Sequence, residues 1–312
     1  MSRLKKKIKS FMPDRVIYLY SIIQTLPEYI ESSWKARKER YPKIQFYDDT
    51  TTVDKIIYEG MSLSRFGDGE FMWMMGEEHP SFQDYSVEFA NDLRKAFQSK
   101  NPKLLIGIPY GIVDSKRCNL YAKMHWKIIK SKFYSRLLKV SDLTRVYSNA
   151  SITRPYIDYH DREYSRQNFE NLRRIWENQD VIFVEGDKTK LGMGNDLFDN
   201  VKSIKRIICP SENAYDKIEE IKEAIIRNVK KEELILAALG PTASILACEM
   251  CELGYHFIDI GHIDIEYMWF KQHSILRDKI EGKYVNESGV KNCSDFYDRN
   301  ESYVNSIIDR VL

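Results

Sequence analysis

Four stretches of this 312-residue chain hold residues whose types and spacing could do chemistry. In the first, Ser64-Arg65-Phe66-Gly67-Asp68-Gly69-Glu70, two carboxylates stand two residues apart. In a loop or extended backbone that spacing projects both to one side, and the flanking glycines let the chain approach a ligand closely. An oxygen-only pair of this kind suits Mg2+ or Mn2+ on a diphosphate, with substrate and water filling the other positions. Arg65 would contact a phosphate or brace one of the acids. The same residues make a good acidic turn, so the pair alone does not decide between the two.

The second stretch, Leu239 to Ser244 (LGPTAS), reads as an apolar strand running into Gly240, with Pro241 at the first helical position. The N–H groups and positive end of that helix would bind an anion, with Thr242 and Ser244 as added donors. Its competing reading is a tight turn at Gly240 and a helix end satisfied by Thr242. The third, Val184 to Asp196 (VEGDKTKLGMGND), looks suited to phosphate but has no G-K-[ST] and puts Leu197 where a third glycine is needed. A P-loop NTPase and a dinucleotide oxidoreductase are thereby disfavoured, leaving a flexible glycine loop over a substrate, with Glu185, Gly186 and Asn195 as binding candidates. The fourth, Asp259 to Tyr267 (DIGHIDIEY), packs acids and a histidine directly after an apolar run. If a helix starts near Ile263, His262 and Glu266 share a face. Neutral His262 could then take a proton from a hydroxyl, with Glu266 orienting it or serving instead. Asp264 is either a third site acid or a helix cap.

These segments need elements to hold them. From about residue 53, short apolar runs recur at Leu104–Ile108, Val181–Val184, Arg206–Cys209, Leu234–Leu239 and Phe257–Ile260, each ending in Gly, Pro or a polar cluster. They do not alternate, as expected of strands buried on both faces. Helical stretches separate them, which predicts an α/β fold with a mostly parallel sheet and helices on both faces. Ligands in such sheets bind beyond the carboxyl ends of the strands, where the second, third and fourth stretches fall. Residues 1–50 read as a basic helical N-terminal extension outside the sheet, and 51–312 as one domain.

Composition narrows the classes. With 43% hydrophobic and 12% aromatic residues the chain can build a core. Residues 1–43 carry 11 Lys/Arg against 4 Asp/Glu, a net of +7, while the other 269 residues hold 37 against 42. The body is thus mildly acidic and a poor nucleic-acid binder. Five cysteines form no disulfide framework, so a reducing compartment, the cytoplasm, is expected. Cys248-x-x-Cys251 lies in an apolar helical run and reads as core in preference to a metal or redox pair. The N-terminal MSRLKKKIKSFMPDRVIYLYSII has too short an apolar run for export. It would either lie on the anionic inner face of a membrane or form a solvated helix packing its apolar side on the body. Oligomeric state stays open, a homo-oligomer included.

Taken together, RFGDGE, EGDKTKLGMGNDLF and ALGPTASILACEMCELGYHFIDIGHIDIEY, in this order, resemble the GT-D type glycosyltransferases, formerly a domain of unknown function. The similarity runs from about residue 53 to about 285. It implies a Rossmann-like fold that binds a UDP-sugar, with Asp68 and Glu70 holding a divalent metal, Mn2+ or Mg2+. The resemblance also implies a glucosyl donor more firmly than any acceptor, the latter being a glycan, glycolipid or glycoprotein of the bacterial surface. Two other readings of the residues stay open: a metal-dependent phosphohydrolase using the same acids, and a silent sugar-nucleotide-binding subunit.

Overall fold

The computed structural model describes residues 12–36, 41–79, 82–159, 161–285 and 295–312; the basic run from Arg3 to Lys9 and Cys293 lie outside the described residues. In chain order the first elements are α1 (Asp14–Ala36), β1 (Gln45–Phe46), α2 (Asp49–Glu59), β2 (Ser62–Arg65), α3 (Asp68–Met74), α4 (Val87–Phe97), β3 (Leu104–Ile108), α5 (Leu120–Val140), β4 (Val146–Asn149) and α6 (Arg162–Arg173). They are followed by β5 (Asp180–Gly186), β6 (Ser203–Cys209), α7 (Ile218–Asn228), β7 (Leu234–Ala238), α8 (Pro241–Glu252), β8 (His256–Asp259), α9 (Ile263–Gln272), α10 (Glu301–Ser306) and β9 (Ile307–Arg310).

The strands form a nine-stranded sheet in the order β1-β4-β3-β2-β8-β7-β5-β6-β9, and every neighbouring pair is parallel. Successive side chains of each strand feed opposite faces. Val181, Phe183, Leu234 and Leu236 pack on one face with residues of α2, α6 and α9. Ile182, Val184, Ile235 and Ala237 pack on the other with α7 and α8. Around β3 that second face continues under α3, α4 and α5. Burial on both faces is why these strands read as unbroken apolar runs. Polar residues start the helices: the side chains of Ser86, Asn119 and Asp161 accept N–H bonds in the first turns of α4, α5 and α6.

Three expectations change. The sheet begins before residue 51, because β1 pairs with β4 and α2 starts at Asp49; a boundary at 50 cuts through α2. The acids of the first stretch are not in a loop but at the first and third positions of α3. The glycine loop after β5 is packed down, with Leu191 fully buried and Lys190 paired to Asp298. Cys248 and Cys251 sit in the core, where burial raises both thiols, as a structural pair should. The extension is α1, which lies along α5, with Glu28 2.5 Å from Lys132 and the Tyr18 hydroxyl accepting from Tyr121 N.

Candidate functional site

Chain order reverses between β2 and β8: β3 and β4 follow β2 outward on one side, and the later strands fill the other. At such a point loops splay apart and leave a crevice at the strands' carboxyl ends. A crevice of about 370 Å³ opens there, and residues following seven strands line it, from Gly67 after β2 to His262 after β8.

The β2 edge supplies the acids. Glu70 turns back to accept Gly67 N–H at 2.7 Å, the return half of a capping box. A Cβ on Gly67 would stand 3.0 Å from that carboxylate, so glycine permits the close pass. Burial, with the charges of Asp259 and Asp68 nearby, pushes Glu70 up to about 7. Asp68 is half-buried, and against the burial the hydrogen bond and charge of His125, 3.0 Å away, hold it down at about 2. Arg65 braces an acid, though neither of this pair: its guanidinium donates to Asp259 Oδ1 and to the Asp259 carbonyl, both at 2.7 Å, and to Ala150 O.

At the β7 end Gly240 has φ +54°, a left-handed conformation natural to glycine, and Pro241 starts α8. Both line the crevice. Thr242 does not, although its buried Oγ1 has no hydrogen-bond partner. Ser244 is not an added donor to a ligand, since its hydroxyl is spent on Arg65 O at 2.6 Å.

The fourth stretch divides. His262 precedes the first turn of α9, lines the crevice and stands with its ring 5.6 Å from that of Phe82. Asp264 reaches the crevice wall but is spent: it accepts from Gly192 N and Asn195 Nδ2 and pairs with the buried Lys283. It does not cap the helix. Glu266 lies outside the lining, fully buried, and accepts the N–H groups of Tyr156 and Ile157 at 3.1 and 3.0 Å. Burial pushes it up to about 7 against the pull of Arg154. It therefore ties the segment after β4 to α9 and does not orient His262.

The third stretch is likewise mostly support. Glu185 is sealed under the loop, paired with Arg206 and accepting Leu191 N at 2.6 Å. Gly186 lets Ser211 approach, for a Cβ there would sit 2.6 Å from its hydroxyl. Asn195 holds Asp264. None of the three lines the crevice, where the loop is represented by Thr189 and Leu191.

Sequence reasoning missed His125 and the role of Asp259. His125 sits inside α5 without a motif, and only packing brings it to Asp68. Asp259 carried a weak signal, an acid ending an apolar strand. Among the described residues no group of three His, Cys, Asp or Glu side chains could hold a metal alone. Glu70, raised first by burial and further by the charges of Asp259 and Asp68, is nonetheless a carboxyl whose ionised form a hard cation would favour. The two acids of α3 thus fit a cation whose other ligands come from substrate and water.

A family model described as "Glycosyltransferase GT-D fold" matches residues 63–288. The glycosyltransferase GlyD of Streptococcus pneumoniae is 37% identical over 265 residues, which are 84% of this chain and 32% of that protein. A probable glycosyl transferase, Gly, of Streptococcus gordonii is 36% identical over 82% of this chain and 37% of its own length. The chain therefore spans about a third of the length of these curated relatives. A solved domain of unknown function 1792, described as having a distinct glycosyltransferase fold, superposes with a TM-score of 0.80 at 32% identity, over 92% of this chain and all of that one. A glycosyltransferase of the same kind from Streptococcus sanguinis gives 0.78 at 33% identity, over 86% of this chain and all of that one.

Proposed function

This chain belongs to the GT-D fold glycosyltransferase family, and on that premise we propose that it moves a sugar, glucose first among candidates, from a UDP-sugar to a glycan acceptor in bacterial surface glycoprotein or polysaccharide synthesis. The observation that carries the proposal is the meeting, on one crevice, of the Asp68 and Glu70 acids, the Gly240-Pro241 helix start and His262. Sugar-nucleotide transfer needs these three things: stabilisation of the leaving diphosphate, an anchor for it, and a group that takes the acceptor's proton.

A divalent cation, Mn2+ or Mg2+, would be held by Asp68 and Glu70 and would offset the charge gathering on the departing UDP. The start of α8 supplies a positive dipole end for the same phosphates. His125 fixes the rotamer of Asp68, and the Arg65–Asp259 pair holds β2 against β8 beneath it. If transfer inverts configuration, His262 accepts the acceptor hydroxyl's proton. A second reading of the base rests on the Asp68–His125 contact, because an ionised carboxylate orients an imidazole for the same task.

Nucleotide release from a panel of UDP- and GDP-sugars with Mn2+, with and without acceptor glycans, tests the proposal. UDP release from UDP-glucose, accelerated by acceptor, is expected. Release of inorganic phosphate from simple phosphate esters, without UDP release, would make the chain a phosphohydrolase. Donor binding without turnover would make it a silent subunit.

A further inference from the structure

The helix α1 packs apolar residues against the body and carries a second apolar face on its outer side. Val16, Leu19, Tyr20, Ile23, Leu26 and Ile30, spaced three and four apart and so on one face, are each 40–65% exposed. The side toward the body holds the partly buried Ile17, Tyr18, Ser21, Ile22, Thr25 and Tyr29 and the buried Ser32, with the Ser21 and Thr25 hydroxyls bonded back into the helix. A continuous apolar stripe facing water is costly and marks a surface meant to be covered.

Charge beside it indicates what covers it. The neighbouring α5 holds Lys123, Lys127, Lys130, Lys132, Arg136 and Lys139 and no acid; Lys132 is paired with Glu28 of α1 and Arg136 with Glu77, which leaves the four other lysines. Residues 1–11 add Arg3, Lys5, Lys6, Lys7 and Lys9, again without an acid. No described helix is long and apolar enough to cross a membrane. We propose that α1 is a docking helix that lies in the interface of an anionic lipid bilayer, its stripe among the acyl chains and the basic residues of α5 toward the headgroups. A second copy fits less well. A two-fold contact through α1 would bring two such basic helices together, and one helix face is narrow against the roughly 800 Å² per partner of a stable interface.

The placement has a consequence for the crevice. Tyr121, His125 and Trp126 of α5 line it, and Tyr121 N donates to Tyr18 of α1. Docking through α1 would hold the crevice about one helix diameter, ~10 Å, from the bilayer, within reach of an acceptor carried on a lipid. That consequence rests on the glycosyl-transfer reading, whereas the docking does not.

The test is sedimentation of the full chain with phosphatidylcholine vesicles made with and without phosphatidylglycerol, beside the double variant Leu19→Ser, Ile23→Ser. Both positions are exposed and neither lines the crevice, so an unchanged thermal melt and circular dichroism spectrum check that the variant is folded. Binding confined to the anionic vesicles, and weakened about tenfold or more in the variant, is expected. Equal sedimentation of variant and parent would overturn the proposal, since adsorption would then be by charge alone. Absence of vesicle binding, with or without a dimer that the variant dissociates, would overturn it as well.

Discussion

Asp68 and Glu70 stand one helical turn apart at most, yet their surroundings pull them in opposite directions, Asp68 down to about 2 and Glu70 up to about 7. One acid is kept charged by a histidine, and the other is kept short of positive partners. The isosteric changes Asp68→Asn and Glu70→Gln preserve most of the local bonding, because Asn can still meet His125 and Gln can still accept Gly67 N–H. Melting temperature should hardly move, while UDP-sugar turnover falls about 10²-fold or more, as when electrostatic stabilisation is lost. Wild-type turnover of both variants in the presence of chelator would remove the metal from the proposal. The two candidate bases separate by the same logic. If His262 is the base, His262→Ala lowers transfer at saturating donor while UDP affinity stays, and His125→Ala weakens donor binding first, by loosening Asp68. The reverse pattern in paired kcat and calorimetric measurements would favour His125.

Elements meet at the site through a few single-residue joints. The turn between β8 and α9 passes under Arg65 at Gly261, where φ is +47° and a Cβ would fall 1.9 Å from Nη2 of the guanidinium. Gly261→Ala must therefore either unseat Arg65 from Asp259 or move the turn. Breaking a buried ion pair on one side costs about 3–5 kcal/mol, and a strained left-handed residue adds to it. A urea melt of this variant that matches the parent would show the turn to be freely adjustable. Glu266 is the second joint. Glu266→Ala leaves two buried N–H donors unpaired, at about 1–3 kcal/mol each, so unfolding midpoints should drop well before any effect on UDP affinity appears in the folded protein.

The whole molecule carries a pH signature from that same buried acid. Folding raises Glu266 from its ordinary 4.5 to about 7, so the folded state favours the protonated form. Its contribution to stability is fully present below about pH 4.5 and is lost as pH rises through about 7. At 1.36 kcal/mol per pK unit the effect is on the order of a few kcal/mol. Relative to Glu266→Gln, the parent should lose stability between pH 5 and 8 in thermal melts. Parallel curves for the two proteins would show that Glu266 is ionised throughout, held so by Arg154.

How far these properties could be read from the chain depends on where the determining contacts lie. β3, β5, β6, β7 and β8 were legible because strands covered on both faces must be apolar throughout, and that demand is local. β2 was not, since Ser62 and Ser64 hide in the core by bonding to the carbonyls of Tyr255 and Ser244, residues some 180 or more positions away in the chain. β1, with two residues paired only to β4, left no periodicity to read. Glycine and proline announced the turn at Gly240 because their backbone preferences belong to single residues. The acids of the first, third and fourth stretches were visible as acids, but whether each faced a crevice or a buried partner was not. Glu185 met Arg206, Asp264 met Lys283 and Glu266 met two backbone amides, and each was thereby withdrawn from solvent. Burying a charge is so costly without a partner that the partner decides the role. For this chain the partners come from another strand and from the segments after β4 and α9, which only the assembled fold brings within reach.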